Sequence, residues 1–89
     1  MSETVLITGS SRGIGKAIAL QLAQSGFDIV VHCRSRVEEA EEVAQAVREL
    51  GQRARVLQFD VSRRVEVAEK LLADVEENGA YYGVVLNAG

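Results

Sequence analysis

The stretch that most constrains this chain is Thr8-Gly9-Ser10-Ser11-Arg12-Gly13-Ile14-Gly15. Ahead of it, Thr4-Val5-Leu6-Ile7 is apolar and largely β-branched, the pattern of a buried strand. Behind it, Lys16 to Ser25 is rich in Ala, Leu and Ile and reads as a helix. Strand, glycine-rich turn and helix together are the context a dinucleotide-binding loop requires. Gly9 lets the chain leave the strand at positive φ, because it has no Cβ. Gly13 leaves room for a pyrophosphate beside the backbone, and Gly15 lets helix and strand approach closely. The free amides at the helix start, with the positive end of the helix dipole, then form an anion site.

A nucleoside-triphosphate P-loop needs G-x-x-x-x-G-K-(S/T). Gly9 and Gly15 enclose five residues rather than four, and Ala17 stands where a magnesium-binding hydroxyl is needed. Spacing and chemistry both exclude it. A plain connector that binds nothing has no need of three glycines within seven residues.

Eighty-nine residues allow one small domain with marginal burial. A hydrophobic content of 47% with 26% charged residues is that of a globular protein, not of a disordered one. No apolar run approaches a membrane span and the N-terminus has no secretory pattern, so the cytoplasm is the default location. Cys33 is the single cysteine, which excludes an internal disulfide. A net charge of −3 argues against general nucleic-acid binding.

In chain order, the first helix starts near Gly13 and is expected to bury Ile14, Ala17, Ile18 and Leu22, with Gly26 just past its end. Phe27 to Cys33 is apolar almost throughout, as a parallel strand covered on both faces should be. Ser35 and Glu38 have capping-box spacing and open a helix that runs to Leu50. Its apolar stripe is Val37, Ala40, Val43, Ala44, Val47 and Leu50; its glutamates read as a solvated face. Ala54 to Phe59 is a third strand, Ser62 caps a third helix with a stripe of Val65, Ala68, Leu72 and Val75, and Val84-Val85-Leu86 is a fourth strand. The order βαβαβαβ with short connections predicts an α/β fold, the first part of a Rossmann doubly wound parallel sheet with strand order 3-2-1-4.

The spacing G-x-x-x-G-x-G resembles the cofactor loop of the short-chain dehydrogenase/reductase family, T-G-x-x-x-G-(I/L)-G. Within that family, Ile7 to Gly15 looks most like the 3-oxoacyl-(acyl-carrier-protein) reductases. The resemblance covers all 89 residues, which correspond to the front part of a family member and so to an incomplete dinucleotide-binding domain. It implies an NADPH-dependent reductase of fatty acid synthesis, converting a 3-oxoacyl thioester on acyl carrier protein to the 3-hydroxyacyl form. It also implies a homo-oligomer, a tetramer, with no membrane partner. The other reading is a non-catalytic dinucleotide-binding module.

NAD-binding proteins place an acid after the second strand to hold the ribose 2′-hydroxyl. Here His32-Cys33-Arg34 stands at that exit, with no acid until Glu38. Arg34 suits a 2′-phosphate, and Arg12 resembles the second basic residue of NADP-preferring reductases, so NADP is favoured over NAD. A charge-assisted bond of this kind is worth about 1.5–3 kcal/mol. The plain alternative is that Arg34 and Arg36 are surface cations. By the same resemblance Asp60-Val61 holds the adenine, though Asp60 alone could be a solvated strand-end acid. Asn87-Ala88-Gly89 resembles the family's N-N-A-G, with Leu86 replacing the first Asn; Asn87 is expected to tie the strand end by hydrogen bonds. Together with Gly9, Ser10, Ser11, Arg12, Gly13, Ile14 and Gly15, these are the expected cofactor-binding residues.

His32 reads as a packed residue rather than a metal ligand, and Cys33 has no feature of a reactive thiol. The family's catalytic Tyr-x-x-x-Lys pair is missing, since Tyr81 and Tyr82 are followed four residues on by Val85 and Leu86. No catalytic residue is therefore assigned. Val84 to Leu86 is apolar on both faces with no neighbour beyond it, so more protein is expected to cover it.

Overall fold

The structure, a computed structural model, describes residues 3–87. Four parallel strands and three helices alternate: β1 (Thr4–Ile7), α1 (Gly13–Gln24), β2 (Asp28–Cys33), α2 (Val37–Glu49), β3 (Ala54–Gln58), α3 (Arg64–Asn78) and β4 (Gly83–Val85). The sheet order is β3-β2-β1-β4, as the alternation of elements predicts. Ile7 pairs with Val31 on one side and with Val85 on the other, which fixes the register at the carboxyl end of the sheet.

Side chains alternate between the two faces of a strand. Val5, Ile7, Ile29, Val31 and Cys33 point to one face, where Ala19 and Ala23 of α1 and Ala40, Val43, Ala44 and Val47 of α2 close over them. Small residues on both helices let the backbones come near the sheet. The expected α2 stripe is found at its four central positions, while Val37 and Leu50 at the ends are 37% and 43% exposed.

The stripe expected for α1 is displaced by one position. Ile14 is 74% exposed and Ala17 is exposed, while Gly15, Ala19 and Ala23 face the sheet. Ile18 and Leu22 flank that seam, half-buried. Backbone approach at Gly15 sets the rotation, so the smallest side chains win the inner face.

The α3 stripe is also corrected. Val65 is 72% exposed, Leu72 62% exposed and Ala68 exposed; only Val75 is partly covered. The residue this helix buries is Asp74, whose carboxylate takes Arg55 Nε at 2.8 Å and Arg55 Nη2 at 2.7 Å. Arg55 projects from β3 on the face opposite Ala54 and Val56, so α3 lies across the sheet from α1 and α2. Tyr81 donates to the same carboxylate at 2.6 Å and Asn78 at 3.0 Å.

Two expected caps are absent. The residues before α2 and α3 are Arg36 and Arg63, and neither makes a side-chain cap. Ser35 leaves α2 to start on the Arg36–Glu39 pair, and Ser62 turns back to Asp60 instead.

Candidate functional site

All loops that follow a strand of a parallel sheet emerge at its carboxyl edge, so the turn after β1, the exit of β2 and the exit of β3 meet there. Gly9 and Gly13 adopt φ of 65° and 63°, a region that side chains disfavour. A Cβ on Gly13 has nothing within 4 Å, so open space lies in front of it. Gly15 is the opposite case. A Cβ there would run into the Gly9 carbonyl and lie 2.7 Å from Asn87 Nδ2. Close helix–strand packing therefore depends on glycine at this position, as the spacing predicts.

Residues outside the turn, Asn87, Val85 and His32, hold it in place. Asn87 donates its backbone N–H to Thr8 Oγ1 at 2.9 Å and its Nδ2 to the Gly9 carbonyl at 3.1 Å. Thr8 in turn donates its N–H to the Val85 carbonyl at 3.0 Å, so β4 and the turn are tied together. His32 is 2% exposed, and its Nδ1 accepts the Gly9 N–H at 2.9 Å. Its Nε2 lies 2.8 Å from the Phe59 carbonyl, with the two rings 4.0 Å apart. Ser10, fully buried, exchanges bonds with the His32 backbone and donates its hydroxyl to the Ile7 carbonyl at 2.7 Å.

His32 is thus the turn's anchor rather than mere packing. A signal for it was present: in parallel register His32 is one step beyond the partner of Ile7, so its side chain must meet the turn. Burial pushes its pKa below the ordinary 6.5, outweighing the bond to Phe59 that favours the charged form.

Helix α1 begins at Gly13 with no acidic residue in its first turn, so its free amides and dipole are open to an anion. Arg12 precedes it in extended conformation, exposed at the rim. Ser11 is half-buried beside it. A cleft of about 480 Å³ runs from this turn past Arg34 to Asp60 and Val61, within the ordinary range for small-molecule sites of about 300–1,000 Å³. Arg34, 78% exposed, places Nε 3.5 Å from Asp60 Oδ2. Asp60 Oδ1 accepts the Ser62 N–H at 2.9 Å and its hydroxyl at 2.7 Å. Those two bonds, the amide first, hold the Asp60 carboxyl below its usual range, with Arg34 and Arg63 adding to the effect.

The cleft is lined by Gly9, Ser11 and Arg12 of the turn together with Arg34, Asp60 and Val61; Ser10, Gly13, Gly15 and Asn87 are not part of its lining. Ile14 sits on the outer rim of α1, outside the helix–sheet seam. Ala88 and Gly89 lie outside the described residues. Neither tyrosine is near the cleft. Both precede β4, at the amino edge of the sheet, where Tyr81 binds Asp74 and Tyr82 packs on Phe27 at 5.6 Å. Cys33 faces the apolar core, and burial raises its thiol above the ordinary 9.0.

A sequence profile for short chain dehydrogenase matches residues 3–89. The chain belongs to that family. A 3-oxoacyl-(acyl-carrier-protein) reductase of Aggregatibacter actinomycetemcomitans is 85% identical over all 89 residues, which span 37% of that relative. A reductase of the same name from Staphylococcus epidermidis is 36% identical over the same 89 residues, 36% of its length. Among solved structures, acetoin dehydrogenase from Salmonella typhimurium superimposes over the whole chain with a TM-score of 0.91 at 37% identity, and the chain covers 37% of it. This short-chain dehydrogenase chain therefore spans little more than a third of the relatives it matches. No helix among its described residues is long and apolar enough to cross a membrane.

Proposed function

We propose that these residues form the NADP(H)-binding front of a reductase that acts on 3-oxoacyl thioesters of acyl carrier protein in fatty acid synthesis. The observation that carries this is the 85% identity, over the whole chain, to a protein bearing that name. The site's own chemistry fits the group. Glycine at 13 leaves open space before a helix start without acids, where a pyrophosphate can lie. Arg12 and Arg34 flank the cleft where a 2′-phosphate needs cations, and Asp60 offers a carboxylate to an exocyclic amine. Val61 supplies a backbone amide beside it, and Asn87 borders the ribose, a part that the family resemblance also gives to Ala88 and Gly89. The chemistry the cofactor supplies is hydride transfer to the β-keto carbon, giving the 3-hydroxyacyl thioester. Binding and orientation fall to the residues named here; the proton-donating tyrosine and its lysine belong to a part of the protein after Gly89. By the same likeness the whole protein is a cytoplasmic homo-oligomer, a tetramer, in which further chain covers Val84 to Leu86.

Titrating the whole protein with both reduced cofactors tests the assignment. NADPH is expected to bind at least about tenfold more tightly than NADH, the worth of one or two charge-assisted bonds. Arg34→Asp should weaken NADPH far more than NADH, and Gly13→Val should abolish both. Equal affinities, or tighter NADH, would sink the NADP assignment.

A further inference from the structure

The anchor of the glycine turn is a titratable group, and its protonation state is dictated by its partners. The Phe59 carbonyl can only accept, so the imidazole proton must sit on Nε2. The Gly9 amide can only donate, so Nδ1 must be bare. Both nitrogens are committed, and they commit the ring to one neutral tautomer. A second proton on Nδ1 would point at the Gly9 N–H across 2.9 Å, donor against donor.

We propose that His32 is a positioning residue for the nucleotide turn, holding Gly9 through an unprotonated Nδ1, and that its protonation releases the turn and weakens nucleotide binding. This rests on the nucleotide-binding reading of the cleft. Apart from the Phe59 carbonyl, whose bond to Nε2 also suits the charged form, no hydrogen-bond partner of the ring favours an imidazolium. The charged groups that border the cleft are Arg12 from the turn, Arg34 and Arg36 from the β2 exit, and Asp60 from the β3 exit. Arg63, before α3, completes the set beside Asp60. The one carboxylate among them, Asp60, already accepts Ser62 and pairs with Arg34. Burial of the ring adds to the preference for the neutral form.

The turn's response to the lost bond follows from its other tethers. Gly9 keeps Asn87 on its carbonyl, and Ser10 keeps the His32 backbone. The strand end thus stays in place while the Gly9 N–H, held at φ 65°, loses its acceptor. That peptide is free to rotate, and the first amides facing the phosphate site lose their alignment. Since the folded-state pKa is lowered from 6.5, the effect belongs to the acid side of that value.

The test measures NADPH affinity of the whole protein from pH 8 to pH 5 for wild type, His32→Asn and His32→Leu. Asn offers an oxygen near the place of Nδ1 and does not titrate. His32→Asn should bind about two- to tenfold more weakly at pH 8 for the lost Phe59 bond, and should weaken with acid only as the cofactor's own 2′-phosphate is protonated. Wild type should lose about a further tenfold over that range. His32→Leu, with no acceptor, should bind weakly at every pH. Imidazole and amide nitrogen NMR of the ligand-free wild type should show the Nε2–H tautomer at pH 8 and a Gly9 amide that moves with the His32 titration. Parallel acid curves for wild type and His32→Asn, or an Nδ1–H tautomer, overturn the role of His32 alone. Failure of wild type to bind either NADPH or NADH at any pH overturns the nucleotide reading, and this role with it.

Discussion

The two faces of the sheet are held by different forces. Under α1 and α2 the contact is apolar, made by eleven buried residues from Val5 to Val47 that include no carboxylate or guanidinium. On the α3 face the sheet buries Leu6 and Val30, but the residue the helix itself buries is Asp74, held by an ion pair and two further hydrogen bonds, and the helix turns Val65 and Leu72 outward. Apolar burial is non-directional and additive with area, so the first face tolerates small shifts. The second is directional: Asp74 must meet Arg55, Tyr81 and Asn78 together, and losing one partner leaves a buried charge partly unsatisfied. The lesson is that a helix with an apolar stripe in its sequence need not use that stripe against its own sheet.

The largest expected effect lies on the apolar face. Ile29→Ala, at a side chain only 1% exposed in the central strand β2, should lower the free energy of unfolding in urea by about 2–5 kcal/mol. Gly15→Ala comes next. Its new methyl meets backbone, so a loss of about 1–3 kcal/mol is expected, together with weakened nucleotide binding by isothermal titration.

Across the sheet, Asp74→Asn should cost about 1–2 kcal/mol, less than for a fully buried pair because the Arg55 side chain is 32% exposed and partly screened. The pH dependence sharpens the contrast. Burial alone would raise the Asp74 carboxyl, but the bonds from Arg55, Tyr81 and Asn78 outweigh it and hold it below the ordinary 3.8. Its stabilising contribution is therefore present above that value and lost as pH falls through the lower folded-state value. Tyr81 is pushed well upward from its ordinary 10.0 by burial and by Asp74, so its contribution is fully present below 10.0 and is lost only as pH rises through the higher folded-state value. Urea midpoints of wild type and Asp74→Asn should draw together as pH is lowered from 7 to 3. If they stay as far apart as at neutral pH, the polar account of the α3 face is wrong. The smallest effect is expected for Val65→Ser, within about 0.5 kcal/mol; a loss above about 1 kcal/mol in the whole protein would mean that the outward stripe of α3 is covered there.

What the sequence disclosed follows the same division. Strand order, the turn, the Gly15 contact and the Asn87 tie were legible because each depends on backbone geometry that few residues permit. Helix rotation was not. The α1 stripe of Ile14, Ala17, Ile18 and Leu22 obeys helical periodicity as well as the seam of Gly15, Ala19 and Ala23 does, and only the close approach to Gly9 decides between them. For α3 the deciding pair, Arg55 and Asp74, is 19 residues apart, beyond any local pattern. Ser35 and Ser62 have capping chemistry, but Asp60 takes the second, and no spacing rule anticipates that competition. The part His32 plays was readable only through the parallel register with β1.

The ties from Asn87 to Thr8 and Gly9 span 79 and 78 residues. They also order events in time. A ribosome adding about 5–20 residues per second takes about 4–16 s to travel that far. Through that interval β1 can pair with β2, and His32 can take hold of Gly9, while the other edge of β1 stays open and the Gly9 carbonyl lacks its side-chain donor. The first motif to be synthesised is thus among the last to be finished. Such long-range closure slows folding. It makes the nascent chain's vulnerable moment the wait for β4, when an exposed edge of Val5, Leu6 and Ile7 is available to any passing strand.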